Sequence, residues 1–141
     1  MVELHRDIAA LARADGRYRP EAFVLVLEAL ERTVELVKSG KIRAMASYAQ
    51  QRSPEGTEGQ FHVSGRELLQ GFRIHMRETY GNLALPLLER CGLRRTEDVG
   101  AIVFLLVEDG RLSKREHDTP ADFADGYDFQ EAFAPAVRLD L

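Results

Sequence analysis

Apolar residues recur at helical spacing through the first forty positions of the chain. Leu4, Ile8 and Leu11 are four and three residues apart, which predicts a short amphipathic helix over residues 3–13. A longer helix is predicted over residues 20–40, because a proline suits its first turn and a glycine suits its C-terminal end. Its apolar positions are Phe23, Val26, Leu27, Leu30, Val34 and Val37.

A polar stretch interrupts this pattern. The segment QQRSPEGTEGQ, residues 50–60, contains proline and glycine and almost no apolar residue, which predicts a flexible loop. The loop divides the chain into a helical N-terminal half, residues 1–40, and a helical C-terminal half, residues 63–110. Since 141 residues is a typical length for one domain, we expect a single domain over residues 1–141.

The C-terminal half opens with a helix-capping signal. Ser64 and Glu67 have the spacing of a capping box, in which each side chain accepts a hydrogen bond from the other residue's backbone amide. The helix that follows is predicted to end at Gly81. A second short helix is predicted over residues 82–91, and Gly92 closes it.

A third helix of this half is predicted over residues 97–109, with Thr96 as its cap. Glu97 and Asp98 lie in its first turn, where the helix dipole favours carboxylates. Its centre, residues 101–107, is apolar nearly all round, which predicts a buried core helix.

The tail over residues 111–141 combines aromatic and acidic residues with little regular period. Thr119 and Pro120 indicate a one-turn helix start. We interpret its aromatic residues as anchors that pin an irregular tail to the helical core. The alternative is an exposed acidic and aromatic peptide that grips a partner. These residues are Phe123, Tyr127, Phe129 and Phe133.

The predicted class is therefore mostly α, with about five helices in one compact domain and an irregular aromatic tail. The element order of residues 65–116 also resembles a winged helix, with residues 97–109 as the recognition helix. The wing would then contain Arg111, Lys114 and Arg115. DNA binding by this helix is disfavoured, because Glu97 and Asp98 would face the phosphates.

Composition excludes several classes of protein. The longest apolar run spans seven residues, Ala101 to Val107, whereas a membrane span needs about 20. The N-terminal segment MVELHRDIAA is charged and has no apolar signal core. One cysteine forms no internal disulfide, which fits a reducing compartment. We therefore expect a cytoplasmic protein that does not enter a membrane.

Charge is unevenly distributed along the chain. The net charge is −4, made up of −1 over residues 1–40, +4 over residues 41–95 and −7 over residues 96–141. The positive middle predicts a basic interaction patch. Two plainer explanations remain open: a solvated helix face, or the acidic tail folding over this face. The patch residues are Arg66, Arg73, Arg77, Arg94 and Arg95.

No catalytic or metal-binding motif is present in the sequence. The four histidines are scattered without zinc-ligand spacing, and no glycine-rich phosphate loop occurs. Ser64 lacks the setting of a nucleophile elbow. Cys91 is a lone cysteine at a helix end, which is typical of a packing residue. We expect no enzyme activity, no metal and no cofactor.

Four segments, taken in order, resemble a known family. They are RYRPEAFVLVLEALERT, HVSGRELLQGFR, YGNLALPLLERCGLRRTEDVGAIVFLLVEDGRLSK and DGYDFQEAF, which together span most of residues 15–133. The chain is similar to the Minf-type family, a bacterial family of conserved hypothetical proteins of about this length. The resemblance implies a bacterial and cytoplasmic protein. It implies no activity and carries over no site residues.

The sequence favours a non-enzymatic protein-interaction or regulatory module that binds an unknown protein partner or self-associates. The alternative is a nucleic-acid-binding regulator that uses the winged-helix-like half and the arginine patch. A third hypothesis is a small-molecule sensor with a pocket between the two helical halves.

Overall fold

Helices account for most of the structure. The computed structural model describes residues 2–43, 62–112 and 119–134, with side chains from Ile8 onward. These residues are mostly helical and contain no strand, which confirms the predicted class. The predicted loop over residues 50–60 lies outside them. The elements are α1 (Val2–Asp15), α2 (Pro20–Lys38), α3 (Gly65–Tyr80), a 3-10 turn (Gly81–Leu83), α4 (Ala84–Cys91), α5 (Thr96–Glu108), a second 3-10 turn (Pro120–Phe123) and α6 (Phe129–Ala132).

Helix α2 begins and ends where the sequence predicts. Pro20 is its first residue, and Gly40 follows it with a φ of 79°. The Gly40 amide donates to the carbonyl of Val37 at 3.1 Å, and the Lys41 amide donates to that of Leu36 at 2.9 Å. This is the Schellman arrangement, which satisfies carbonyls at a helix end and requires a left-handed residue.

The predicted capping box at the start of α3 is confirmed. The Glu67 amide donates to Oγ of Ser64 at 3.0 Å, and the Ser64 amide donates to Oε1 of Glu67 at 2.8 Å. Both residues are buried, and so are the flanking apolar residues Val63 and Leu68. The cap therefore fixes the start of α3 and the direction in which each of its faces points.

Helices α2 and α3 pack closely where Gly71 faces Thr33. A Cβ atom on Gly71 would lie 1.7 Å from Oγ1 of Thr33 and 2.7 Å from its Cβ. The Thr33 hydroxyl is buried and donates to the carbonyl of Ala29 at 2.6 Å. Phe72 and Met76 fill the core beside this crossing. The crossing thus places one face of α3 inside the protein and leaves the opposite face to solvent.

Helix α5 differs from its prediction. Val99, Ile102 and Leu106 are buried, but Val103 and Leu105 are partly exposed, so the predicted buried core helix is buried on one face only. The physical reason is one-sided packing, since α2, α3 and the second 3-10 turn cover only part of its surface. Within the described residues, no helix is both long enough and apolar enough to cross a membrane.

The tail packs onto the helical core through its aromatic residues. Phe123, Phe129 and Phe133 are buried in the same core as residues of α1 to α5. Phe129 and Phe133 pack edge to face, with ring centroids 5.3 Å apart. Single helical turns form at Pro120, as predicted, and at Phe129, where Asp128 caps the backbone. The described tail is thus held by side chains, with short turns between them.

Candidate functional site

Three of the predicted patch residues share the outward face of α3. Arg66, Arg73 and Arg77 are all exposed and recur at helical spacing. A guanidinium nitrogen of Arg66 donates to the carbonyl of Ala121 at 3.4 Å. The guanidinium of Arg73 lies over the ring of Tyr127, 5.6 Å from its centroid. The acidic tail therefore reaches this face through a carbonyl and a ring.

Tyr127 fixes the tail against α3. Its hydroxyl donates to the carbonyl of Leu69 at 2.6 Å. Burial raises the pKa of Tyr127, while the charge of Arg73 acts in the opposite direction. The phenol therefore remains a neutral hydrogen-bond donor under ordinary conditions.

Thr96 joins the tail to the start of α5. The prediction that Thr96 caps α5 is wrong, because Arg95 occupies the N-cap position and Thr96 is the first helical residue. The Thr96 hydroxyl is buried, donates to the carbonyl of Phe123 at 2.7 Å and accepts from the amide of Gly126 at 3.1 Å. A tertiary contact between α5 and the tail has therefore taken the place of the expected cap.

Asp98 performs the capping role at α5. Its Oδ2 accepts from the backbone amides of Arg94 at 2.9 Å and Arg95 at 3.1 Å. Its Oδ1 accepts from the hydroxyl of Tyr18 at 2.7 Å. Burial raises the pKa of Tyr18, and the hydrogen bond to Asp98 raises it further. Both oxygens of the Asp98 carboxylate therefore form hydrogen bonds within the chain.

Arg94 and Arg95 project from the same turn, and both are exposed. They line two shallow hollows of about 370 and 380 Å³. The first hollow extends towards Asp125, Tyr127 and other tail residues, and the second extends towards Arg17 and Tyr18. Both hollows are lined by carboxylates as well as by guanidinium groups, so neither has a single sign of charge.

Tyr127 links the two parts of the predicted basic patch. Tyr127 packs against Arg73 and also lines the hollow of Arg94 and Arg95, so these three arginines lie near one ring, while Arg66 and Arg77 extend the same exposed face of α3. In the described part of the chain, none of the patch side chains forms an ion pair with a carboxylate. We call this set the arginine surface. It consists of Arg66, Arg73, Arg77, Arg94 and Arg95.

Arg111, the one residue of the predicted wing that the structure describes, does not extend this surface. Arg111 lies beyond the C-terminal end of α5, about 20 Å along the helix axis from its start. Its Nε donates to Oδ2 of Asp109 at 2.7 Å. Lys114 and Arg115 lie outside the described residues, and residues 111–112 form a bend. The winged-helix topology is therefore not confirmed.

A pocket between the two helical halves was a hypothesis from the sequence, without named residues, and the structure has a groove of about 430 Å³ between the N-terminal helices and the corner of α3 and α4. Glu21 and Glu28 from α2 line it, together with Tyr80 from α3. Oε1 of Glu28 lies 3.4 Å from the Tyr80 hydroxyl and 3.4 Å from Nε2 of His75. The seven-residue spacing of the two glutamates on an otherwise apolar helix face could have indicated these groove residues from the sequence.

Cys91 is buried at the end of α4. Burial raises the pKa of its thiol, so the reactive thiolate is disfavoured. Over the described ranges, no three potential ligand side chains are grouped as a metal site would require.

Comparisons with family models, curated proteins and solved structures found no match to this chain.

Proposed function

We propose that this protein is a non-enzymatic interaction module that binds an acidic segment of a protein partner through the arginine surface. One observation carries the proposal. Five exposed arginines lie on adjoining elements, and no carboxylate of the described chain pairs with them. Exposed guanidinium groups hydrogen-bond to carboxylates in two-pronged geometry, which suits recognition of acidic side chains.

The acidic tail leaves these charges available. It lies beside the surface, but its contacts with Arg66 and Arg73 use the carbonyl of Ala121 and the ring of Tyr127. Both contacts orient a guanidinium without neutralising it. The tail therefore positions the guanidinium groups, and carboxylates of an external acidic segment pair with them.

A protein partner is favoured over nucleic acid by the chemistry beside the arginines. Glu97, Asp125 and Asp128 line the same hollow as Arg94 and Arg95. These carboxylates would repel a continuous phosphate backbone, whereas a peptide places its acidic groups individually. A bacterial and cytoplasmic setting belongs to the same proposal and rests on the family resemblance.

The test is affinity capture from a bacterial lysate, performed with and without nuclease treatment. The bait variant Arg77→Glu/Arg94→Glu reverses two exposed arginines whose side chains have no partner in the described residues. The control bait Arg13→Glu/Arg43→Glu makes the same change of charge at exposed positions outside the arginine surface. Circular dichroism verifies that both baits are folded.

The proposal predicts that the wild type and the control bait capture the same protein, whereas the Arg77→Glu/Arg94→Glu bait does not. Raising the salt concentration should release that protein from the wild-type bait. Capture that both variants retain equally would contradict it. Capture that disappears with nuclease would favour the nucleic-acid alternative.

A further inference from the structure

The groove between the two helical halves has an apolar floor. Ile8 of α1, Val24 and Leu25 of α2, and Leu87 of α4 line it. Ile8 and Leu25 are buried, and the other two are partly exposed. Its volume of about 430 Å³ falls within the range of small-molecule sites, about 300–1,000 Å³.

Two carboxylates lie at the rim of this floor. Glu21 and Glu28 are seven residues apart on α2, which places them on one face about 10 Å apart along the axis. Among the described residues, Glu21 has no hydrogen-bond or ion-pair partner, and Oε2 of Glu28 accepts no hydrogen bond. Within the described residues, the groove therefore combines an apolar interior with the unpaired charge of Glu21 and with that of Glu28, whose Oε1 contacts His75 and Tyr80 and whose Oε2 is open.

Tyr80 adds an aromatic ring beside Glu28. Its ring lines the groove, and its hydroxyl lies 3.4 Å from Oε1 of Glu28. An aromatic ring next to a carboxylate attracts a cation both through the ring face and through the charge. A neutral or anionic ligand would gain neither interaction.

We propose that this groove binds a small organic cation, an amine attached to a compact apolar body. The apolar body fills the floor, and the ammonium group lies between Glu21, Glu28 and the ring of Tyr80. This site is separate from the arginine surface and does not depend on the function proposed for it.

The test is a titration followed by methyl NMR spectra, because the floor residues all carry methyl groups. The probes are 2-phenylethylamine, 2-phenylethanol and phenylacetate, which share an aryl body and differ in charge. The variant Glu21→Gln/Glu28→Gln removes the carboxylate charges. The control Glu108→Gln/Glu131→Gln removes two exposed charges outside the groove. The methyl spectrum itself reports whether each variant is folded.

The proposal predicts saturable shifts of the Ile8, Leu25 and Leu87 methyls with the amine and much weaker shifts with the alcohol and the acid. The dissociation constant of the amine should rise about tenfold or more in Glu21→Gln/Glu28→Gln and stay unchanged in the control. The arginine variant Arg77→Glu/Arg94→Glu should also bind the amine normally, which separates this site from the proposed function.

Three results would overturn the proposal. Equal affinity for the amine and the alcohol would show an apolar hollow without charge selectivity. Shifts that map outside the groove would place binding elsewhere. No saturable shift with any probe at millimolar concentration would show that the groove is not a small-molecule site.

Discussion

Replacing Gly71 by alanine tests the closeness of the α2–α3 crossing on which both proposed surfaces depend. The new methyl group would lie 1.7 Å from Oγ1 and 2.7 Å from Cβ of Thr33. Rotation of the Thr33 side chain moves Oγ1 but leaves Cβ in place. The two helices must therefore separate, or the backbone must shift.

Gly71→Ala gains helix propensity but adds a steric clash, and the cost of the clash is the larger of the two. Alanine in place of glycine stabilises an unobstructed helix by about 1 kcal/mol. Adding a methyl group to a close-packed site typically costs about 1–3 kcal/mol, and contact with an atom fixed to the backbone places this site at the upper end. We expect Gly71→Ala to lower the free energy of unfolding by about 2 kcal/mol. With a urea m-value of about 1–3 kcal/mol/M, the unfolding midpoint should fall by about 1 M.

The assay is urea unfolding followed by far-ultraviolet circular dichroism, with a double-mutant cycle. Thr33→Ala removes Oγ1, so Gly71→Ala should destabilise the Thr33→Ala protein less than it destabilises the wild type. Gln70→Ala, on an exposed neighbouring position, should change stability by less than about 0.5 kcal/mol. A more stable Gly71→Ala protein would refute the close crossing.

Three further predictions concern the contacts that hold the sites in place. Ser64→Ala should lower the free energy of unfolding by about 1 kcal/mol, because it removes the cap of α3; an unchanged urea midpoint would contradict the cap. Thr96→Val should destabilise the protein by about 1–3 kcal/mol and speed hydrogen exchange at the Gly126 amide, whereas Thr96→Ser should preserve both. Stability should decrease as the pH rises above about 10, because the folded-state pKa values of Tyr18 and Tyr127 are raised and the unfolded chain releases those protons first. Urea midpoints measured from pH 8 upward check this, and Tyr18→Phe should reduce the decrease.

The sequence predicted those features that depend on neighbouring residues. The capping box at Ser64 and the end of α2 at Gly40 each involve a few consecutive positions, and both are found as predicted. The partial exposure of α5 could not be predicted in this way, because it depends on which other elements pack against that helix. The role of Thr96 was missed for a related reason, since its partners Phe123 and Gly126 lie about thirty residues away.

In the candidate sites too, local features were predicted and those that depend on distant contacts were not. Helical spacing predicted that Arg66, Arg73 and Arg77 share a face, and the structure places all three on the exposed side of α3. The proximity of Arg73 to Arg94 and Arg95 depends on the packing of Tyr127, which no local pattern encodes. The groove at Glu28 requires three separate segments to meet. Its location between the two helical halves was foreseen as a hypothesis, but its residues were not.

Direct binding of an acidic peptide tests whether the arginine surface recognises acidic segments. A fluorescein-labelled oligoglutamate peptide is titrated with the wild type, with Arg77→Glu/Arg94→Glu and with Arg13→Glu/Arg43→Glu, and its fluorescence anisotropy is measured. The wild type and the control variant should bind equally, and Arg77→Glu/Arg94→Glu should bind about tenfold more weakly or worse. Equal weakening by both charge-reversed variants would show that only net charge matters, and it would contradict a specific arginine surface.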